Sequence, residues 1–414
     1  MTRDFENMLY LFGCGALGKE PLAEHCVNIR RIREISIEQN VWPIVYSAIR
    51  KKLESGEVKI PPEIYNNLET SFEANIAKTL QKNEFNKRVI KTLGKRGVEC
   101  CLFKGMALAQ LYNIPETRVS GDADILIKPE DEVLAAKVLR ELGYDVSERA
   151  AYDHHISAIH PVGGELEVHI SVMRKNWDDI IFSDKISYKE EYIDFDEGIK
   201  TLGINDSLVN AATHFIKHFV RRGAGVRHIM DLLLYIKKYE NQINTDRFSS
   251  LMEELRYKKL INTVKAVGVK YWGFSFDNLE ETDNEVMEKL LTDIENGGTF
   301  GAKEYERAET YAQFTQRRKK MTKAEYKKYS LTKMDKTILQ KILPDKEYMQ
   351  KAYNVEKCYG IWLVIAHIKR WFSILFDMLT GKKDYNVYMY GEGKETSVQA
   401  KERIELFEML DIID

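Results

Sequence analysis

The sequence predicts an α+β protein: a small mixed β-sheet flanked by N- and C-terminal helical segments. Three observations carry this. Residues 1–95 hold apolar residues at helical spacing, the pattern changes at Val98 to short apolar runs between turn residues, and helical spacing returns from Asn205. A chain of 414 residues is long enough for two to four domains, or for one core with helical additions. We divide it into a helical region 1–95, an α/β core 96–200, a helical domain 201–300 packing on that core, a charged segment 301–335, and a C-terminal helical region and tail 336–414.

In "SIEQNVWPIVYSAIRKKL", Ile37, Val41, Ile44, Val45 and Ile49 share a helix face. Pro61-Pro62 interrupts the chain, and one long helix then runs to Gly97. "VECCLFKG" is short, apolar and closed by glycine, so it is a strand; "MALAQLYN" is a short helix and "ADILI" a second strand. "KPEDEVLAAKVLRELGY" opens with proline and acids and closes at Gly143, which punctuates a helix. "YDVSERA", "HHISAIHPV" and "GELEVHISV" are three further strands, the last two joined by a "VGGE" hairpin turn. "DSLVNAATHFIKHFVRRG" buries Leu208, Ala211, Ala212, Phe215 and Phe219, and "GVRHIMDLLLYIKKY" is the next helix. Helical patterns continue to residue 296. "NGGTFG" is a turn or hinge and not a phosphate-binding P-loop, because no GK[ST] follows. The charged segment is expected to be mobile and solvated. A last helical unit spans about 335–380, before a peripheral tail.

Composition excludes several classes. Hydrophobic residues at 44% and charged residues at 30% describe a soluble globular chain, and a net charge of −2 gives no general field for polyanions. Cys14, Cys26, Cys100, Cys101 and Cys358 form no CxxC pair, which suits a reducing cytoplasm and argues against a disulfide framework or a zinc site. The N-terminus is a poor signal peptide. His367, Lys369 and Arg370 interrupt the apolar stretch Tyr359–Leu379 at its middle, so it reads as buried helices of a soluble domain and not as a membrane span.

The chemistry starts at "RVSGDADILIKPED". Alternate residues of a strand share a face, so Asp122 and Asp124 project together while Ala123, Ile125 and Ile127 face the other way. Two adjacent carboxylates repel unless a cation lies between them, and Mg²⁺ with its oxygen ligands serves well. "GELEVHIS" sets Glu165, Glu167 and His169 on one face. If its strand neighbours the aspartate strand, Glu167 completes a three-carboxylate cluster. Such a cluster holds two metals about 3.5–4 Å apart and supports in-line phosphoryl or nucleotidyl transfer. In the other reading, Glu165 and Glu167 are the wet face of an edge hairpin.

These residues carry a resemblance. "CLFKGMALAQLYNIPETRVSGDADILIKPEDEVLAAKVLRELGY" resembles the nucleotidyltransferase core of the DNA polymerase β superfamily. It is more closely similar to the "uncharacterised nucleotidyltransferase" family of bacterial proteins. Lys104-Gly105, Arg118, Asp122-Ala-Asp124-Ile-Leu and Glu167-Val168-His169 follow that family's order. "IEQNVWPIVYSAI" before the core, and "HFIKHFVRRGAGVRHIMDLLLYIKK", "GGTFG" and "ILPDKEYMQKAY" after it, extend the likeness over most of residues 30–375.

The resemblance implies a polymerase β-like fold and an enzyme that transfers a nucleoside monophosphate from an NTP to an unidentified hydroxyl-type acceptor, releasing pyrophosphate. It implies Mg²⁺, two ions during catalysis, with Mn²⁺ as a substitute. Asp122, Asp124 and Glu167 would be the catalytic metal ligands. Lys104, Gly105, Arg118, Gly121, His214 and Lys217 would meet the nucleotide. Gly105-Met106 departs from the superfamily's usual Gly-Ser or Gly-Gly turn, and Lys104 either supplies the missing phosphate contact or caps its strand. Arg118 either contacts phosphate or pairs with the aspartates.

His214, Lys217, His218 and Arg221 form a stripe opposite the apolar face of their helix: a cationic wall if it lines the cleft, a solvated face otherwise. Arg227 and Asp231 are expected to pair with each other. His154, His155 and His160 are not spaced as metal ligands, and His169 is expected to support the acids from behind. The basic run "QRRKK…KKYSLTK" reads as a charged helix pair more than a nucleic-acid track. Two alternatives stay beside the transferase: a non-catalytic nucleotidyltransferase-like module of the toxin–antitoxin type, and an RNA-modifying nucleotidyltransferase.

Overall fold

Sequence periodicity becomes a mixed sheet with helices before and after it. The computed structural model describes residues 1–147, 149, 154–173, 191–196, 198–221, 223–298, 307–325, 364–365, 367–369, 371–372 and 397–414. Contacts divide the described chain into two compact units. The first holds residues 1–302 and 409–412, and the second holds 303–408 and 413–414.

The first unit opens with α1 (Arg3–Leu17), α2 (Ile29–Glu38), α3 (Trp42–Glu54) and the long α4 (Pro62–Lys95). The Thr2 side chain caps α1 by accepting from the Phe5 amide, and Gly18 ends it in the left-handed conformation. α1 and α3 approach so closely at Gly15 that an added Cβ would lie 2.0 Å from the Ile44 carbonyl oxygen.

The sheet follows: β1 (Cys101–Phe103), α5 (Gly105–Ala109), β2 (Asp122–Leu126), α6 (Glu132–Glu141), β3 (Asp145–Val146), β4 (His155–His160), β5 (Gly164–His169), β6 (Tyr192–Asp196) and β7 (Ile199–Leu202). Among the described residues the strand order is β3-β4-β5-β2-β1-β7-β6. β2 runs parallel to β5 and β1 parallel to β7, and the other neighbours are antiparallel. β4 and β5 form the expected hairpin. β6 and β7 form a second hairpin that the sequence reading did not assign. Ile199 and Leu202 are its fully buried residues, and β7 takes the place beside β1.

One face of the sheet is dry. Leu102, Ala123, Ile125, Ile127, Leu166 and Val168 pack there against Val89, Ile90 and Leu93 of α4 and Ala135, Val138 and Leu139 of α6. Each large aliphatic side chain buried in this way contributes about 1.5–3 kcal/mol. Alternation sends Asp122, Asp124, Glu167 and His169 to the opposite face. A smaller apolar patch of Cys101, Phe103, Leu126, Val172 and Leu202 lies on that side.

Helices resume with α7 (Ile204–Arg221), α8 (Val226–Lys238), α9 (Thr245–Glu254), α10 (Lys258–Val267) and α11 (Asn284–Gly297). α8 is buried from Val226 to Ile236 on every side. The Trp272 indole, just past α10, donates to the Leu9 carbonyl of α1 at 2.9 Å.

In the second unit, α12 (Ala308–Arg318) sets a fully buried Phe314 edge-on against Phe407 of the helix Ser397–Met409, with ring centroids 5.8 Å apart. Arg317 pairs with Glu408. α12 is therefore not wholly solvated, because its aromatic side has a packing partner. "ILPDKEYMQKAY", Cys358, the tail before residue 397 and most of Tyr359–Leu379 lie outside the described residues. Cys14, Cys26, Cys100 and Cys101 are free and buried. No helix among the described residues is long and apolar enough to cross a membrane.

Candidate active site

The register of β2 on β5 builds the site. Asp122 stands opposite Glu165, Asp124 opposite Glu167, and Leu126 opposite His169. Glu167 is therefore lateral to Asp124 and not on an isolated wet hairpin. The edge-hairpin reading is set aside for Glu167, although Glu165 accepts from the Ser157 hydroxyl at 2.6 Å. The imidazole of His169 completes the cluster: its Nε2 lies 3.0 Å from Asp124 Oδ1 and 3.1 Å from Glu167 Oε2. His169 was expected behind the acids and instead stands among them.

Lys104 is bound to the second aspartate. Its Nζ lies 2.6 Å from Asp124 Oδ1 and 3.4 Å from His169 Nε2, above the Phe103 ring. The backbone makes this reach by holding Lys104 at φ 56°, ψ −127°, at the junction of β1 and α5. Such a conformation costs a non-glycine residue about 1–3 kcal/mol and persists only where its surroundings hold it. Asp124 is thus the partner that Lys104 holds in this structure.

The three acids differ electrostatically. Burial pushes the Asp122 carboxyl up, and the charges of Asp124 and Glu167 push it further. Burial acts in the same sense on Asp124, but the Lys104 ammonium and His169 outweigh it and hold the carboxyl well below the usual range. Glu167 is likewise lowered: burial raises it, while the hydrogen bond from His169 and the charge of Lys104 prevail. The cluster has one acid short of positive charge and two that have it.

The approach to β2 is clamped from both sides. Lys82 of α4, unmarked in the sequence, donates to the carbonyls of Ser120 and Gly121 at 3.1 and 2.7 Å. Arg118 is buried in a two-pronged pair with Asp231 of α8, Nε–Oδ1 3.0 Å and Nη2–Oδ2 2.6 Å, and Tyr112 adds its hydroxyl to Oδ1 at 2.7 Å. Arg118 therefore pairs with Asp231 and not with the two aspartates of β2. Asp231 was expected to take Arg227, which instead donates to the Val119 carbonyl.

A Cβ on Gly105 would meet Ser120 Oγ at 2.5 Å and Arg118 Nη1 at 3.3 Å, so the protein itself needs glycine there. Ser120 brings a hydroxyl to the same turn that lacks Gly-Ser. Among the described residues, nothing stands within 4 Å of where a Cβ on Gly121 would be.

The stripe on α7 is less cationic than expected. His214 and His218 touch through Nε2 atoms 3.1 Å apart, and His228 of α8 joins them. Burial, then neighbouring imidazoles (His218 and His228 beside His214, His228 beside His218), holds both rings well below the ordinary histidine range, so Lys217 and Arg221 carry the charge of the stripe. A second trio unites His154, His155 and His169. His160 is not in it, because its ring stacks on Phe85 at 4.4 Å.

Donor chemistry fits a hard divalent cation at the acids. One atom each from Asp124, Glu167 and His169 lie within 4.8 Å of one another. Asp122, with its raised carboxyl, is the member that a cation would relieve. This differs from the expected all-carboxylate set by admitting one imidazole.

A family model described as uncharacterised nucleotidyltransferase matches residues 25–264, more than half of the chain. No curated protein and no solved structure matches it.

Proposed function

We propose that this chain, which belongs to the uncharacterised nucleotidyltransferase family, transfers a nucleoside monophosphate from an NTP to a hydroxyl-type acceptor at the carboxylates of β2 and β5. The observation that carries the reading is the pairing of Asp124 with Glu167 across parallel strands, with Asp122 one pleat away. In this reading the sheet is a polymerase β-like core.

Asp122, Asp124 and Glu167 hold Mg²⁺, which supplies charge neutralisation at the triphosphate. Glu167 accepts the acceptor's proton as its oxygen attacks the α-phosphorus. The α–β phosphoanhydride bond breaks and pyrophosphate leaves. Lys104 shifts from Asp124 towards a phosphate oxygen, and the Ser120 hydroxyl serves beside Gly105 where the superfamily pattern has Gly-Ser. Gly121 leaves open space next to the pair, and Lys217 offers charge from α7.

Calorimetry with ATP, GTP, CTP and UTP, with and without Mg²⁺, tests the reading against an Asp122→Ala/Asp124→Ala control. Metal-dependent binding lost in the control is expected. The Lys104–Asp124 ion pair favours one second reading, a non-catalytic module whose acids are neutralised from within. Failure of the folded protein to bind any NTP would decide for it.

A further inference from the structure

α7 and α8 bring together three imidazoles that share no residue with the carboxylate cluster. His214 and His218 lie one turn apart on α7, and His228 enters from the first turn of α8. The His228 ring centroid is 5.3 Å from that of His214 and 5.0 Å from that of His218. One nitrogen from each of the three lies within 4.8 Å of the other two.

Zinc-type ions bind imidazole nitrogen at about 2.0–2.1 Å, which separates two tetrahedral nitrogen ligands by about 3.3–3.4 Å. The observed 3.1 Å between the Nε2 atoms of His214 and His218 is close to that edge. Histidines at i and i+4 are the helical spacing that presents two ligands to one ion. The third ligand has a backbone contact that orients its ring: His228 Nδ1 accepts from the Gly225 amide at 3.2 Å and lies 3.4 Å from the Gly225 carbonyl oxygen. Ligation through Nε2 needs the proton on Nδ1, which exchanges the bond from the amide for donation to the Gly225 carbonyl at 3.4 Å. The set holds no carboxylate, and imidazole alone selects Zn²⁺, Co²⁺ or Ni²⁺ over Mg²⁺.

We propose that His214, His218 and His228 form a three-histidine site for a zinc-type divalent ion, separate from the carboxylate cluster, with its fourth position taken by water or substrate. His214 and His218 are only partly buried, which gives that position access. The cysteines argued against zinc, and the histidines supply ligands that the cysteine count could not reveal.

Cobalt is the probe. Chelator-stripped full-length protein is titrated with Co²⁺, read by visible absorption, beside His218→Gln, His228→Gln, His154→Gln/His155→Gln and Asp122→Ala/Asp124→Ala variants. A tetrahedral imidazole spectrum in the unmodified protein and in the last two variants is expected, with affinity lowered at least about 100-fold by His218→Gln or His228→Gln. The proposal is overturned if Co²⁺ gives no such spectrum, if both glutamine variants keep it, or if it is lost with His154/His155 or with the aspartates. X-ray absorption of the Zn²⁺-loaded His154→Gln/His155→Gln variant decides even if the His218 and His228 variants do not fold. Three imidazole ligands support the site, and an oxygen-dominated shell refutes it.

Discussion

Asp124 and Glu167 face each other across parallel β2 and β5 and share one nitrogen, His169 Nε2, at 3.0 and 3.1 Å. One ring nitrogen carries at most one proton. The pair is therefore held close by a bond that both acids draw on, in a position where a cation or a reacting hydroxyl can take the imidazole's place. Glu167→Gln keeps the shape but removes the carboxylate proposed as the base. It is expected to lower nucleotidyl transfer roughly 10²–10⁴-fold with NTP binding retained, as read by pyrophosphate release beside calorimetry.

The Arg118–Asp231 pair predicts a stability effect. Asp231→Ala leaves a guanidinium buried without its carboxylate, and such losses run to about 3–5 kcal/mol. Urea unfolding is expected to show it, while the double change Arg118→Met/Asp231→Leu loses much less. Equal losses in both variants would mean that the packing, and not the ion pair, holds the turn before β2.

Asp122 predicts a metal response. Its carboxyl is raised by burial and by two neighbouring acids, so the charged form opposes folding when no cation is present. Asp122→Asn is expected to raise the melting temperature of chelated protein and to abolish any Mg²⁺-dependent rise. Mg²⁺ at one hundred times its Kd would add about 2.7 kcal/mol to the unmodified chain.

Buried neutral histidines set a pH dependence. Burial, then Arg227 and Arg118, holds His228 down at about 3, and burial, then His169 and His155, holds His154 down at about 2. An unfolded histidine titrates near about 6.5. Below that pH the unfolded chain takes up protons that the folded chain refuses, so stability falls with acid and is level above it. The slope is at most about 1.4 kcal/mol per pH unit for each such group. Chemical denaturation of chelated protein from pH 7.5 to 5 measures it, and a flat profile would contradict the buried neutral state.

The acids were legible in the sequence because strand alternation is a local rule: Asp122 and Asp124 had to share a face, and so did Glu167 and His169. Their meeting depended on strand order, which the sequence left conditional. Lys104 on Asp124 was not legible, since it hangs on one positive φ. Nor was Arg118 on Asp231, partners 113 positions apart. Lys82 gave no signal because it is one lysine among several on a helix. The β6–β7 hairpin was missed because "YIDFDEGIKTL" alternates weakly and its strands are short. The histidine trios escaped because each draws ligands from two elements.

α4 has a consequence for how the protein could be divided. At 34 residues it extends for about 50 Å. Its early part sets Phe72 against Tyr46 of α3. Its later part holds the Ser120–Gly121 carbonyls through Lys82 and fills the dry side of the sheet with Val89, Ile90 and Leu93. It acts as a splint, and a fragment starting at Val98 would lose one wall of its interior together with the clamp on its aspartate turn. The N-terminal quarter is thus a working part of the sheet's own interior, and shortening the protein from that end is expected to yield insoluble chain instead of a minimal folded core.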